Sequence, residues 1–445
     1  MRLHESNRFS AVVRTSGVAI AIRGRIRSTS FFPMSESERS ATARRDLVVA
    51  IILGLIAALV FFESTKPTQQ HFDYTFRIAG ALLHGHVGLE TRPPSWLNEM
   101  VPRDGRLYSV FPLGAVLSMV PLAILQRAGW IDNFSGHWVA TILVACSVYF
   151  FFRLTEIRSQ PLVRRIFFAL FPIFGTWAWC NLGFGGAWQL ALGFALLGEV
   201  ASLYFLLVRP RPFLAGAFFA LAVGNRTELG LTLPFYLYFV WRGAAGVDAQ
   251  NWVNFLRSLR KSWPALVWFL SVPVILGLLT AAYNFSRFHS IFDFGYAHIP
   301  NLMREPWYQR GLFSIHAIPW NMQKSLFEGF NDYPRFPFFR FYPFGCSIFL
   351  SSPFLVLLFR EGGQFKTAIW LIIGAIMFVL WCHGNPGGWQ FSYRYAMVLL
   401  PWMFLLIVSN GPAKISAIEL SLFAVSVVIN ATATYQFLWT NLIHP

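Results

Sequence analysis

The stretch HFDYTFRIAGALLHGHVGLE, residues 71–90, places ionisable side chains at helical spacing soon after the first long apolar run. As a helix it would carry Asp73, Arg77 and His84 beside an apolar face. The residues of that apolar face are Phe72, Phe76, Ala79 and Leu83. A carboxylate at an aqueous surface can accept a proton from a substrate hydroxyl as a general base. Alternatively, Asp73 and Arg77 form an i,i+4 ion pair on a solvated face, worth about 0.2–0.5 kcal/mol.

The histidines of this stretch raise the question of a metal site. His71, His84 and His86 have spacings of 13 and two residues, which match no zinc-ligand pattern. Histidine at a membrane interface is commonly just amphipathic. The four cysteines form no CxxC pair. The sequence therefore predicts neither a metal site nor a disulfide framework.

A second group of ionisable residues interrupts an apolar segment. Residues 213–241 are too long for one ordinary membrane helix and contain the polar run NRTELG at 225–230. We expect two short helices that meet at this run, because non-helical backbone at membrane depth is tolerated only inside protein or beside a water-filled cavity. Arg226 and Glu228 are functional candidates by their depth, or else an internal pair that satisfies the broken backbone.

Composition indicates the class of protein that positions these residues. The chain is 56% hydrophobic and 13% charged, whereas about a quarter of the residues in soluble domains are charged. Its apolar runs of roughly 16 to 22 residues are continuous, as in membrane helices, and do not alternate as barrel strands do. We therefore expect an all-α fold: a polytopic transmembrane helical bundle with interfacial helices in its outward loops.

The formal charge of +16 bears on orientation and partners. In a membrane protein, arginines set the orientation and lie near lipid headgroups, so membrane lipids are expected partners and nucleic acid is not. We interpret residues 1–45 as a basic, disordered cytoplasmic tail. Residues 1–33 superficially match a transit peptide, but no apolar leader or cleavage site is visible. The alternative to a disordered tail is a protein whose true start is Met34. Arginines before the apolar run 47–62 place the N-terminus in the cytoplasm.

The order of the remaining crossings depends on residues 107–125. If this segment spans the membrane, six arginines of the following loops lie outside. If it is instead a re-entrant or juxtamembrane helix broken by Pro112 and Pro121, the same arginines lie inside. The positive-inside rule favours the second arrangement. The six are Arg153, Arg158, Arg164, Arg165, Arg209 and Arg211. The second arrangement predicts about eleven crossings with the C-terminus outside. It gives a catalytic domain of residues 46–445 with outward loops 64–136 and 284–342.

Several stretches together resemble the integral-membrane glycosyltransferases of the GT-C fold. The aspartate early in the first outward loop, with DGRLYSVFPLGAVLSMVPLAIL behind it, is similar to protein O-mannosyltransferases and lipid A aminoarabinose transferases. NRTELGLTLP, YNFSRFHSIFDFGY and GNPGGWQFSYRYAMVLLP resemble the corresponding loops of a broad bacterial branch. The likeness covers most of the chain from about residue 47. Its strength lies in the order of the stretches, since none is specific alone.

The resemblance implies transfer of a sugar, with mannose the first choice, from a polyprenyl-phosphate carrier to a lipid, glycan or protein acceptor. It implies an enzyme of the bacterial plasma membrane that acts at the outer face. Asp73 stands at the position of the family's general base, with Asp104 in reserve. Some relatives carry a second acid beside the first, whereas Tyr74 follows here. Some members need a divalent cation and others do not, so the resemblance leaves a metal cofactor open.

A lipid phosphate as leaving group calls for nearby cations, and the arginine fork binds phosphate oxygens at two points. Arg394, at the outer start of an apolar helix, is the first choice, with Arg106 and Arg77 behind it. The alternative for Arg394 is an anchor whose side chain extends to the lipid headgroups.

Two other classes of function stay open. One is a transporter or flippase for a lipid-linked substrate, although such proteins tend to show internal repeats, and none is detectable here. The other is a non-catalytic scaffold, in which no outward carboxylate would be needed for function.

Overall fold

The computed structural model describes residues 36–245, 252–335, 338–363, 365–412 and 414–443. Helices dominate this part of the chain, as the sequence predicts. The first eight are α1 Glu36–Ser64, α2 Tyr74–Leu82, α3 Leu113–Leu117, α4 Val120–Arg127, α5 Gly136–Leu154, α6 Leu162–Phe174, α7 Ala178–Gly183 and α8 Ala187–Leu207. The remaining ones are α9 Pro212–Asn225, α10 Leu233–Ala245, α11 Trp252–Phe288, α12 Ile318–Leu326, α13 Ile348–Ser351, α14 Lys366–Cys382, α15 Leu400–Ser409 and α16 Ala417–Leu438.

Short strands form two small hairpins that the sequence did not predict. Strand β1 Met100–Arg103 pairs antiparallel with β2 Arg106–Ser109, and β3 Asn331–Asp332 pairs with β4 Phe339–Arg340. Both hairpins lie in the loops expected to face outward. Their turns carry left-handed residues, with φ of 49° at Asp104 and 68° at Phe338.

Five helices of the described residues are long and apolar enough to cross a membrane: Ala43–Ser64, Gly136–Ile157, Ala187–Leu207, Arg260–Phe288 and Ala417–Leu438. Two further apolar segments that we expect to cross the membrane are divided into shorter elements. Residues 166–184 are shared between α6 and α7, and residues 343–359 contain the four-residue α13 and a 3₁₀ turn. The structure is therefore compatible with a membrane protein, while the number of about eleven crossings stays a prediction.

Residues 1–35 of the expected N-terminal tail lie outside the described residues. The last ten residues of that tail, from Glu36 on, belong to α1.

One end of the bundle is built on buried ion pairs, and we name it the basic end. The guanidinium of Arg165 lies 2.6 Å from the carboxylate of Asp46, near the start of the apolar part Ala43–Ser64 of α1. That of Arg164 lies 3.0 Å from Glu419 at the start of α16. Arg158 donates to the backbone carbonyl of Gly411 just after α15. These contacts hold three of the six arginines predicted to share one side of the membrane at this end, while the side itself stays a prediction.

The opposite end, which we name the cavity end, joins the other termini of the same helices. The indole nitrogens of Trp179 and Trp439 donate to Ser64, the last residue of α1. The backbone N–H of Ala187, the first residue of α8, donates to the carbonyl of Phe72 at 2.8 Å. The first outward loop therefore begins directly above the ends of α1 and α8.

The break in residues 213–241 is present where the sequence predicts it. Helix α9 ends at Asn225, a 3₁₀ turn covers Thr227–Thr232, and α10 begins at Leu233. The depth of this break follows from close packing between α8 and α9. A Cβ added to Gly198, in the middle of α8, would lie 2.6 Å from the backbone of Ala222 in α9. The polar run therefore lies inside the bundle, about one helical turn beyond the midpoint of α8.

Residues 107–125 are broken, as expected, into β2 and the short helices α3 and α4. At about 1.5 Å per residue, α3 and α4 together reach roughly 22 Å, less than the 30 Å of a bilayer core. Helix α3 packs on α9 so closely that a Cβ on Gly114 would lie 2.4 Å from the Cα of Gly224. The glycine pair brings the first outward loop against the break in α9–α10.

Candidate functional site

A cavity of about 540 Å³ lies at the cavity end, between the helical break and the outward loops. Most of its walls are apolar or aromatic. Four of the stretches quoted for the family resemblance contribute to it, although they lie far apart in sequence. They supply Val110, Phe111 and Pro112; Asn225 to Glu228, Gly230 and Leu231; Phe294 and Tyr296; and Tyr395. The volume is in the range of ordinary small-molecule sites, about 300–1,000 Å³.

Arg226 and Glu228 line this cavity as an ion pair, as the sequence predicts. The Arg226 Nε donates to Glu228 Oε1 at 2.8 Å, and both side chains are largely buried. The same guanidinium lies over the Tyr395 ring, 5.3 Å from its centroid. The two side chains therefore neutralise each other's charge and also line the cavity.

Arg394 lies beside the cavity without lining it, and its guanidinium is 5.3 Å from the centroid of the Tyr395 ring. Its side chain is 8% exposed, so it is not extended toward headgroups as a surface anchor would be. Nη1 donates to the Trp389 carbonyl at 3.2 Å, and Nε has no hydrogen-bond partner. Within the described residues, no carboxylate lies within ion-pair distance of Arg394. A buried guanidinium with no carboxylate partner is suited to an anionic ligand.

Glu99 is a carboxylate of this region that the sequence reasoning missed. Its Oε2 accepts from the indole of Trp188, which lines the cavity, at 2.6 Å. Burial raises the pKa of Glu99, whereas the Trp188 hydrogen bond and the charge of Arg394 lower it, and Glu305 raises it. A half-buried carboxyl with a raised pKa is a common feature of functional sites. Residue 99 lies in an irregular loop, so helical periodicity gave no signal for it.

His383 also lines the cavity and was not singled out from sequence. It follows α14 directly, and its Nδ1 lies 2.8 Å from the Asn385 carbonyl. Aromatic rings surround the imidazole at centroid distances between 5.6 and 6.4 Å. They belong to Tyr296, Tyr308, Phe313 and Tyr395. The loop motif GNPGGWQFSYRY, which begins one residue later, was the available signal.

Asp73 and Arg77 line a different cavity, of about 420 Å³, whose walls are more polar. Helix α2 is present as expected, with Asp73 at its N-terminal boundary, and Arg77 Nε donates to Asp73 Oδ1 at 2.8 Å. The Asp73 side chain is largely buried. Tyr74 connects the two regions, because its hydroxyl accepts from the backbone N–H of Glu99 at 3.4 Å.

Asp104 and Arg106 lie in the β1–β2 hairpin, away from both cavities. Asp104 is in the turn, is highly exposed and pairs with Arg103 at 3.4 Å. Arg106 pairs with the exposed Glu90 at 3.1 Å. The structure thus does not bring the reserve base or the second arginine candidate together with Arg394.

The described residues contain no group of three or more His, Cys, Asp or Glu side chains that could hold a metal ion. Nδ1 of His84 lies 2.9 Å from the Gly80 carbonyl, and His86 lies 3.6 Å from Glu90. Among the described residues these histidines therefore belong to no three-ligand site for a cation.

No protein-family model, no curated protein and no solved structure matches this chain.

Proposed function

We propose that the protein is a membrane glycosyltransferase of the GT-C type. It transfers a sugar, with mannose the first choice, from a polyprenyl-phosphate carrier to a lipid, glycan or protein acceptor. In this proposal the chain crosses the bacterial plasma membrane about eleven times, with its N-terminus and the basic end in the cytoplasm and its C-terminus outside. The cavity then opens at the outer face.

The observation that carries the proposal is the convergence of separate stretches on one cavity. Residues near positions 110, 226, 295 and 395 form its walls together. Loops ordinarily run over the protein surface. The meeting of four irregular, polar-containing segments around one cavity therefore favours a ligand-binding role for it.

The chemistry of the cavity fits a lipid-linked phosphosugar. Apolar walls suit the first isoprene units of the carrier, and aromatic rings suit the apolar faces of a sugar. Arg226 in the cavity wall and Arg394 beside it, both near the Tyr395 ring, supply positive charge for the departing phosphate. Arg77 and Arg106 are weaker candidates for this role, because both are paired with carboxylates outside the cavity.

The experiment that tests the function uses purified protein in proteoliposomes with radiolabelled polyprenyl-phosphate sugars and extracted membrane acceptors. We expect a labelled product with a new glycosidic bond and release of polyprenyl phosphate. Movement of the labelled lipid between leaflets with no new bond would instead support the transporter or flippase alternative. Neither transfer nor movement with any donor would support the scaffold alternative.

Asp73 is the general base in the family resemblance, and that assignment is tested separately. If Asp73 is that base, Asp73→Asn abolishes transfer while leaving the melting temperature nearly unchanged, because Asn still accepts a hydrogen bond from Arg77. Asp104→Asn, in the exposed hairpin turn, is the matched control and should retain activity. Full activity of the Asp73→Asn protein would remove this residue from the mechanism.

A further inference from the structure

The cavity holds a side chain with the geometry of a proton acceptor. We propose that His383, through its Nε2, takes the proton from the acceptor hydroxyl during sugar transfer. The inference rests on the proposed function and assigns a residue to the same cavity.

Hydrogen bonding fixes the tautomer of His383. A backbone carbonyl can only accept, so Nδ1 must carry the proton that it shares with the Asn385 carbonyl at 2.8 Å. In the neutral ring, Nε2 then carries the lone pair. Among the described residues Nε2 has no hydrogen-bond partner, and the ring lines the cavity. The imidazole is therefore oriented with its basic nitrogen available to a ligand.

The surroundings of His383 keep it neutral. Burial lowers the pKa of the imidazole, the Asn385 hydrogen bond raises it, the cations Arg226 and Arg394 lower it, and Glu228 raises it. The other titratable groups that face the ring are the hydroxyl-bearing rings of Tyr296, Tyr308 and Tyr395. Histidine in its neutral form is the commonest general base in enzymes.

The carboxylates near the cavity are less suited to this step. Glu228 is bound to Arg226, and Glu99 accepts from Trp188 without lining the cavity itself. Asp73 lines the other cavity and is bound to Arg77. His383 lines the cavity itself, and its ring lies 5.6 Å from that of Tyr395, which Arg394 also contacts.

The step balances as follows. The acceptor hydroxyl oxygen forms a bond to the anomeric carbon, and the bond from that carbon to the phosphate oxygen breaks. The electron pair of the broken bond leaves with polyprenyl phosphate as its negative charge. The hydroxyl proton moves to Nε2, and the imidazolium later releases it to solvent.

The first test is His383→Asn. The Asn amide can still donate to the Asn385 carbonyl, but the position of Nε2 is lost. We expect kcat to fall by about 10²-fold or more, with little change in the KM for the donor. In the wild type, kcat should decline as pH falls through a value below the ordinary histidine pKa, and this acidic limb should be absent from the variant. His316→Asn, an exposed histidine of the same face, is the matched control.

The second test does not depend on turnover or on the folding of a variant. Diethyl pyrocarbonate acylates unprotonated imidazole nitrogens, and mass spectrometry of the wild type maps the sites. We expect His383 to be modified, and polyprenyl phosphate to protect it while His316 stays reactive. An unmodified His383 would overturn the proposal.

The two proposals can fail separately. Transfer by the wild type with unchanged kcat and pH profile in His383→Asn would overturn the assignment of His383 alone. In that case loss of transfer in Asp73→Asn would return the role to Asp73. A wild type that transfers no sugar from any donor would overturn both.

Discussion

The two ends of the bundle both bury arginines, but they partner them differently. At the basic end Arg164 is fully buried, pairs with Glu419 at 3.0 Å and lies over the Phe168 ring. At the cavity end Arg394 is also buried, yet within the described part of the chain its side chain contacts a backbone carbonyl and a ring and no carboxylate. Burying a charge without a counter-charge is costly, so a protein retains such a residue where a ligand supplies the missing charge.

The comparison shows that burial of an arginine does not by itself separate structure from function; its partners do. Arg164 and Glu419 close a network that also includes Arg360, and this network joins α6, α16 and the end of the 3₁₀ turn Pro353–Phe359. Arg226 is intermediate, because it has a carboxylate partner and still lines the cavity. Arg394 is where a ligand would complete the site.

The largest expected effect is on stability at the basic end. Arg164→Ala leaves the buried Glu419 with one of its two arginines, and breaking a buried ion pair costs about 3–5 kcal/mol. The melting temperature in detergent should fall sharply and expression should drop. Arg209→Ala, exposed at the same end, should change little. If Arg164→Ala and Arg209→Ala were equally stable, the buried ion pair of Arg164 would not contribute the expected stability.

The next effect is on binding at the cavity end. Arg394→Ala removes a charge-assisted contact worth about 1.5–3 kcal/mol, so the apparent donor KM should rise about 10- to 100-fold. The melting temperature should change far less than in Arg164→Ala, because no carboxylate loses its partner. Arg310→Ala, exposed in the outward region, serves as control. An unchanged donor KM would show that Arg394 is structural after all.

The smallest effect concerns Glu99 and pH. Because burial raises its pKa in the folded protein, the folded state holds the proton to higher pH than the unfolded state does. Stability therefore falls as pH rises from the unfolded pKa through the folded one. Glu99→Gln keeps an acceptor for Trp188 and should match the wild type near pH 4 but melt higher at pH 8. The exposed Glu361→Gln should show no such divergence; if both variants behave alike, Glu99 is not the carboxyl that burial perturbs.

The sequence-based predictions succeeded where interactions between residues close together in the chain decide the structure. The run NRTELG interrupts an apolar segment, and backbone polar groups at depth must be satisfied, so a break between short helices followed directly. The i,i+4 pair of Asp73 and Arg77 followed from helical spacing in the same way. Clustered arginines between apolar runs likewise predicted a common basic end.

Sequence reasoning did not reveal Glu99 and His383, because both lie outside regular helices. Neither residue belongs to a periodic pattern or a recognised metal-ligand spacing. Asp73 drew attention because it lies on an amphipathic helix, yet the structure places it in the smaller, polar cavity. Periodicity indicates which face of a helix is buried, and not which loops meet above it.

The sequence by itself determined the local elements of this protein, namely long apolar helices, clustered arginines and a broken helical pair. Each of these depends on residues that are close together in the chain. Only the tertiary structure decided which charges are paired and which face the cavity. That outcome depends on contacts such as Gly114 against Gly224, which hold segments more than a hundred residues apart within a few ångströms. Electrostatic interactions act over those few ångströms, whatever the separation along the chain.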